Sequence, residues 1–178
     1  AGTEPGVQAA LFDASTMTGL LKDENNVGVR FYNALATPAS TDGTVLAVGI
    51  HTDGSEANKG KGYELSLGLN GGKVSVRALN IADAAEACRD METSGHPSFS
   101  ASFTRTDIEA LLDLDGCQAL QATPDVTDKG VTTMRLTAMK LADGKAEPLG
   151  SDPKFTRLCA YPCPTVCGPD KNYVYRPK

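Results

Sequence analysis

The chain has 178 residues, of which 40% are hydrophobic and 22% are charged, and its formal net charge is −5. This length suits a single domain with a core of its own, so we expect residues 1–178 to form one domain. The negative charge and the lack of a basic stripe argue against a nucleic-acid partner, and no apolar run is long enough to predict a membrane span.

The first predicted unit is a helix followed by two strands. Asp13 or Ser15 can cap a helix that runs to about Lys22. Apolar and polar residues alternate over 27–35, which predicts a strand with one buried face. The nearly continuous apolar run over 44–51 predicts a central strand that is covered on both faces.

A hairpin is predicted over 63–79. Its strands, 63–69 and 73–79, both alternate, and Asn70, Gly71 and Gly72 between them favour a tight turn. Asn80 then caps a helix predicted over 81–91.

The second predicted unit follows a short strand at 99–103. Thr106 and Glu109 have the spacing of a capping box at the start of a helix that runs to about Leu114. Strands are predicted over 117–122 and 131–141.

The two units share their order of elements, which predicts an internal repeat of 12–54 and 103–144. Pairing Phe12 with Phe103 also places Val27 opposite Cys117, and Leu46 opposite Leu136, when one residue is dropped in the second unit. The alternative is two unrelated helix–strand–strand segments.

We therefore expect an α+β fold: an antiparallel β-sheet with two or three short helices, built from two pseudo-repeated helix–strand–strand units, with an extended tail rich in Cys and Pro over 145–178. Residues 173–175 are predicted to add an edge strand.

Five cysteines are present, and three of them lie in the tail. Cys88 and Cys117 fall within apolar patterns and are predicted to be buried. Cys159, Cys163 and Cys167 leave three alternatives open: a disulfide between two of them, which requires an oxidising compartment such as the cell surface, a site for a soft metal, or reduced thiols.

No motif for catalysis or for cofactor binding stands out, and we predict no catalytic, cofactor or metal residues. His51 and Asp53 end a strand, where near neighbours rarely point together. The scattered carboxylates, Glu56 among them, are interpreted as solvated surface groups. A cleft that gathers Arg30, Tyr32, His51 and Asp53 would instead indicate an enzyme or a small-ligand binder.

Residues 27–34 (Val-Gly-Val-Arg-Phe-Tyr-Asn-Ala), 44–50 and 163–168 (Cys-Pro-Thr-Val-Cys-Gly) resemble a set of small uncharacterised proteins, mostly from the Bacteroidota. Those proteins share a helix, a G-[IV]-R-[IF]-Y strand, a following apolar strand and a C-terminal Cys-Pro-x-x-Cys. This chain differs in having Val27 where the others have a cysteine. The resemblance implies the architecture and no reaction.

These observations favour a non-enzymatic structural or protein-interaction module, for example a subunit of a larger surface or extracellular assembly. Its expected partner is another protein or a further copy of itself, since edge strands can pair between chains. The alternative is a metal-binding or redox protein that uses Cys159, Cys163 and Cys167.

Overall fold

The computed structural model describes residues 9–35, 43–53, 55–56, 65–68, 76–79, 81–95, 99–143 and 145–159. It shows an α+β fold built from antiparallel sheets, which confirms the predicted fold class. In chain order the elements are β1 (Ala10–Asp13), α1 (Ala14–Leu20), β2 (Asn26–Leu35), β3 (Gly43–His51), β4 (Leu65–Gly68), β5 (Val76–Leu79), α2 (Ile81–Thr93), β6 (Ser100–Thr104), α3 (Arg105–Leu112), β7 (Ala119–Val126), β8 (Thr132–Ala142), β9 (Lys145–Pro148), a 3₁₀ turn (Pro153–Phe155) and β10 (Thr156–Leu158).

The strands form two sheets where the sequence predicted one. The first sheet has the order β1-β7-β8-β10, with β9 also paired to β8, and the second has the order β5-β4-β3-β2-β6. As its apolar sequence predicts, β3 lies between two strands and is buried along most of its length. The two sheets contact each other where edge strand β1 meets β4 and where edge strand β6 meets β8.

The main hydrophobic core lies between the two sheets. At its centre the rings of Phe12, Phe31 and Phe103 pack edge to face, with centroids 5.7 and 5.8 Å apart. Each ring comes from a different strand, so one aromatic cluster joins both sheets. Aromatic pairs of this geometry add about 0.5–1.5 kcal/mol each beyond the apolar area that they bury.

The two predicted units are joined by reciprocal strand pairing. The strand before each helix pairs with the first long strand of the other unit: Ala10 lies opposite Ala122, and Ala101 lies opposite Phe31. Ala101 follows Ala10 at the same spacing at which Phe103 follows Phe12 and Ala122 follows Phe31. The two ladders are therefore equivalent in register.

The registers relate the long strands differently from the sequence comparison. Phe31 lies opposite Ala47, and its counterpart Ala122 lies opposite Leu136, with all four side chains in the core. Leu136 is thus equivalent to Ala47, whereas the sequence paired it with Leu46. A shift of one residue turns a strand's side chains to the opposite face. The identity of Leu46 and Leu136 in the sequence comparison therefore does not mark structurally equivalent positions. Whether the units arose by duplication stays a prediction.

Three local predictions change. The capping residue of α3 is Thr104, whose side chain accepts from the backbone N–H of Asp107, so the predicted cap at Thr106 was wrong by two residues. Residues 145–148 and 156–158, predicted as part of an extended tail, add β9 and β10 to β8. The hairpin strands pair from Leu65–Leu79 to Gly68–Val76, while its predicted turn and the predicted strand at 173–175 lie outside the described residues.

Candidate functional site

One cluster of ionisable side chains lies on the face of β2 that points away from the main core. Arg30 and Tyr32 are two residues apart on the strand, so their side chains lie on the same face. The Tyr32 hydroxyl donates to Glu56 Oε2 at 2.5 Å, and Arg30 Nη1 lies 3.3 Å from the same oxygen. Glu56 and Tyr32 are fully buried and Arg30 is 5% exposed. We call these three residues the buried triad.

A short turn after β3 brings Glu56 into the buried triad. The His51 N–H donates to the Ser55 carbonyl at 2.8 Å, and the backbone of Glu56 forms an isolated antiparallel β-bridge with Ile50. Asp53 accepts from the hydroxyl and the N–H of Ser55, at 2.5 and 2.9 Å, and these hydrogen bonds lower the pKa of Asp53. The interpretation of Glu56 as a solvated carboxylate was therefore wrong. The signal available in the sequence was the spacing of Asp53 and Ser55, which favours a turn closed by an Asp side chain.

Burial controls the protonation of the groups around the triad. Burial, and then the negative charge of Glu56, raise the pKa of Tyr32 well above its usual range. Burial also raises the pKa of the Cys88 thiol on α2, with a further contribution from Glu56. Tyr32 and Cys88 therefore stay protonated at neutral pH. A substrate would have to displace the side chains that cover Tyr32 and Glu56 before it could reach them. The hydrogen bond and the ion pair of the triad instead hold the turn after β3 to β2.

The four residues named as a candidate cleft do not all converge. Arg30 and Tyr32 meet in the buried triad. The contacts of the other two lie in the turn beyond β3, where His51 Nδ1 is 3.4 Å from the Asn25 carbonyl oxygen and Asp53 holds Ser55. The residue that sequence reasoning missed is Glu56.

The described cysteines are unpaired thiols. Cys88 is buried, as the sequence predicted, and so is Cys159. Cys117, which was also predicted to be buried, is half-buried. Cys159 is held by its backbone: its N–H donates to Met134 at 3.1 Å, and its carbonyl accepts from Thr133 Oγ1 at 2.6 Å. The Cys159 thiol is free, so the disulfide considered for this residue is not formed. Cys163 and Cys167 lie outside the described residues, and a thiol site between them stays a prediction. Within the described part of the chain, no group of three or more His, Cys, Asp or Glu residues could hold a metal ion.

A groove of about 640 Å³ separates α1 from α3. Each lining residue on the α3 side has a lining counterpart on the α1 side, at the spacing that relates Phe12 to Phe103. Ser15 and Gly19 line the α1 side without such a counterpart. The pairs of equivalent lining residues are Ala14 and Arg105, Thr18 and Glu109, Leu21 and Leu112, and Lys22 and Asp113. The last pair places opposite charges on the two walls.

Arg105 fixes the geometry at one end of the groove. Its guanidinium donates to the carbonyl oxygens of Leu21, Asp23 and Asn26 at 2.5–3.0 Å, and its Nη1 lies 3.0 Å from Glu109. These bonds join the start of α3 to the turn after α1. The network therefore fixes the position of the start of α3 relative to the turn after α1 at this end of the groove.

Comparison of the chain with family models, with curated proteins and with solved structures gave no match. The resemblance to the Bacteroidota proteins stays a prediction. None of the helices in the described residues has the length and apolar character needed to cross a bilayer.

Proposed function

We propose that the chain is a non-enzymatic protein-interaction module that assembles with further copies of itself as a subunit of a larger assembly. The observation that carries this proposal is the groove between α1 and α3. Its volume falls within the range of about 300–1,000 Å³ typical of binding sites. Its lining is mostly small or apolar, with charges of both signs at the rim.

The turn between β7 and β8 of a second copy is the occupant that fits the groove. Val126, at the end of β7, is 54% exposed, more than any other large hydrophobic side chain whose burial the structure describes. The turn beyond it is closed by hydrogen bonds from the Val131 N–H to Thr127 and from the Gly130 N–H to Thr127. A preformed turn loses little conformational entropy on binding.

Charge complementarity supports the same occupant. Asp128 and Lys129 are exposed at the tip of the turn, just beyond Val126. The groove offers Lys22 on one wall and Asp113 on the other. With Val126 in the groove, Asp128 can face Lys22 while Lys129 faces Asp113, which fixes the orientation of the turn.

This contact joins two different surfaces of the chain, so in a pair of copies one still presents a vacant groove and the other an unoccupied turn. Such heterologous contacts build rings or open chains of subunits rather than closed twofold dimers. The proposal therefore predicts assemblies that grow with concentration.

Sedimentation velocity over a wide concentration range tests the proposal. The wild-type chain should form species larger than a dimer, and added salt should weaken them because exposed charges are screened. Val126→Asp and Lys22→Glu should each weaken association at least about tenfold, since loss of an interface anchor costs more than about 1.4 kcal/mol. Leu141→Asp is the matched control, because Leu141 is 37% exposed and lies on β8 outside the turn.

A wild-type chain that stays monomeric at millimolar concentration would contradict the proposal, as would equal effects of Val126→Asp and Leu141→Asp. The alternative of thiol or metal chemistry in the tail has its own test. Metal analysis and thiol titration of the purified chain should find a bound ion or a reactive thiol pair if that alternative is correct.

A further inference from the structure

The first residue of α3 holds the backbone on both sides of Lys22. The Arg105 guanidinium donates to the Leu21 carbonyl at 2.5 Å and to the Asp23 carbonyl at 3.0 Å, and these two residues directly precede and follow Lys22. The same guanidinium reaches the Asn26 carbonyl through Nη2 at 2.7 Å and through Nε at 3.0 Å. Lys22 and Arg105 both line the groove between α1 and α3. The backbone around one groove residue is therefore fixed by another.

These hydrogen bonds also complete the end of α1. The helix ends at Leu20, and the carbonyl groups at the end of a helix lack hydrogen-bond partners within it. Asn26 Nδ2 donates to the Leu20 carbonyl at 2.8 Å, and Arg105 donates to the Leu21 carbonyl that follows. A positive charge at this end is also favourable, because the helix dipole is negative there. Arg105 thus caps α1, although 84 positions separate it from Leu21.

Lysine at position 105 could not make this set of contacts. A guanidinium carries five N–H donors in a rigid planar fork, whereas the ammonium of lysine carries three donors on a single nitrogen atom. Arg105 uses Nε and Nη2 for the carbonyl groups, and its Nη1 lies 3.0 Å from Glu109. Arg105→Lys keeps the positive charge in the groove but cannot hold all three carbonyl groups at once. The substitution therefore separates the charge of this residue from its geometry.

We infer that Arg105 is a positioning residue, which prepares Lys22 for contact with Asp128 of a second copy. This inference rests on the proposed function, in which the turn between β7 and β8 enters the groove and Asp128 faces Lys22. Lys22 is exposed, and ordering a long exposed side chain on binding costs free energy. A backbone fixed on both sides of Lys22 sets the direction of its side chain beforehand, so less order remains to be gained on binding. Arg105 acts through Lys22 and does not have to contact the partner.

A double-mutant cycle measures the contact between Lys22 and Asp128 in the assembly. Lys22→Met and Asp128→Asn are made separately and together, and sedimentation velocity gives the association constant of each chain. In the wild-type background the two substitutions should be coupled by about fivefold, the size of a favourable exposed ion pair. With Arg105→Lys in every chain of the cycle, the coupling should fall below about twofold. A general loss of stability would weaken every chain of the cycle alike and leave the coupling unchanged.

Arg157→Lys is the matched control for Arg105→Lys. The Arg157 side chain is 32% exposed, compared with 30% for Arg105, and its Nη1 also donates to two carbonyl groups, those of Lys154 and Thr156. Its Nε lies 3.5 Å from Asp107 on α3, but none of Arg157, Lys154, Thr156 and Asp107 lines the groove. Arg157→Lys therefore disrupts a comparable arginine network and should leave the coupling at its wild-type value.

Backbone amide relaxation, measured by NMR on a chain that carries Val126→Asp, tests the positioning without any assembly. Val126→Asp removes the anchor of the turn, and the order parameters of Lys22 and Asp23 are compared with and without Arg105→Lys. They should fall from about 0.85 towards about 0.6 with Arg105→Lys, because rigid and flexible backbones have these values. Arg157→Lys should leave them unchanged.

The two experiments distinguish a failure of this inference from a failure of the proposed function. Unchanged order at Lys22, or unchanged coupling in an Arg105→Lys chain that still assembles, would overturn the inference and leave the proposed function standing. A wild-type chain that does not associate would overturn the proposed function, and with it this role of Arg105, even if Arg105→Lys lowers the order at Lys22.

Discussion

Replacing Glu56 with Gln should destabilise the protein far more than removing an exposed carboxylate. The substitution keeps an acceptor for the Tyr32 hydroxyl but removes the negative charge 3.3 Å from a guanidinium that is 6% exposed. Breaking a buried ion pair in this way costs about 3–5 kcal/mol. Glu109→Gln provides the comparison, since the Arg105–Glu109 pair is 30% and 48% exposed and pairs of that kind contribute about 0–1 kcal/mol.

Urea denaturation measures both changes as differences in the free energy of unfolding. Adding Arg30→Met to Glu56→Gln should recover part of the loss, because the double variant no longer buries the charge that Glu56 neutralised. A cost below about 1 kcal/mol for Glu56→Gln, or no recovery in the double variant, would refute the conclusion that this charge pair holds the turn to the sheet.

Three further predictions concern the strands, a helix cap and pH. Gly28→Ala should cost about 1–3 kcal/mol or more in urea denaturation, because its Cβ would lie 2.3 Å from the Phe103 carbonyl oxygen across the β2–β6 ladder; an unchanged midpoint would show that the ladder yields. Thr104→Ala should lower the free energy of unfolding by about 1 kcal/mol, whereas Thr106→Ala should change it little. A larger loss for Thr106→Ala than for Thr104→Ala would show that Thr106 caps the helix, as the sequence predicted. Because the pKa of Tyr32 is raised in the folded state, its stabilising contribution is fully present below the unfolded value near 10.0 and declines above it. A titration that follows the absorbance of ionised tyrosine should show a step at which Tyr32 ionises together with unfolding, and Tyr32→Phe should remove that step. If Tyr32 titrated normally, the step would be missing.

The fold class could be predicted because local patterns and tertiary packing agree along most of the chain. The apolar run of β3 is buried on both sides, and Asp13 caps α1 through the Thr16 N–H. The cap of α3 was misplaced because two threonines, Thr104 and Thr106, both precede an acidic residue by three positions. Only the backbone geometry distinguishes them: Thr104 is extended, and its hydroxyl reaches the Asp107 N–H.

The division into two sheets could not be predicted, because it depends on pairing between distant parts of the chain. β1 has only four residues, and its partner β7 belongs to the second predicted unit. β10 has three residues and gains its place from pairing with β8. Strands this short carry too little periodicity to be recognised from sequence alone.

The candidate sites were missed for a related reason. The burial of Glu56 depends on the turn at residues 51–56 and on the residues around it, and nothing in its neighbouring sequence is apolar enough to predict a buried carboxylate. The groove between α1 and α3 exists because two helices far apart in sequence lie side by side in the fold. Sequence spacing within either helix contains no information about that approach.

Paramagnetic relaxation enhancement between two copies tests the proposed assembly most directly. A chain with a spin label on Thr123→Cys, three residues before Val126 on β7 and outside the turn, is mixed with an isotope-labelled wild-type chain. Only contacts between copies then broaden the observed signals. Broadening should concentrate on Thr18, Lys22 and Glu109 in the groove and should disappear when the isotope-labelled chain carries Lys22→Glu. Uniform weak broadening, or broadening centred on another surface, would contradict assembly through the groove.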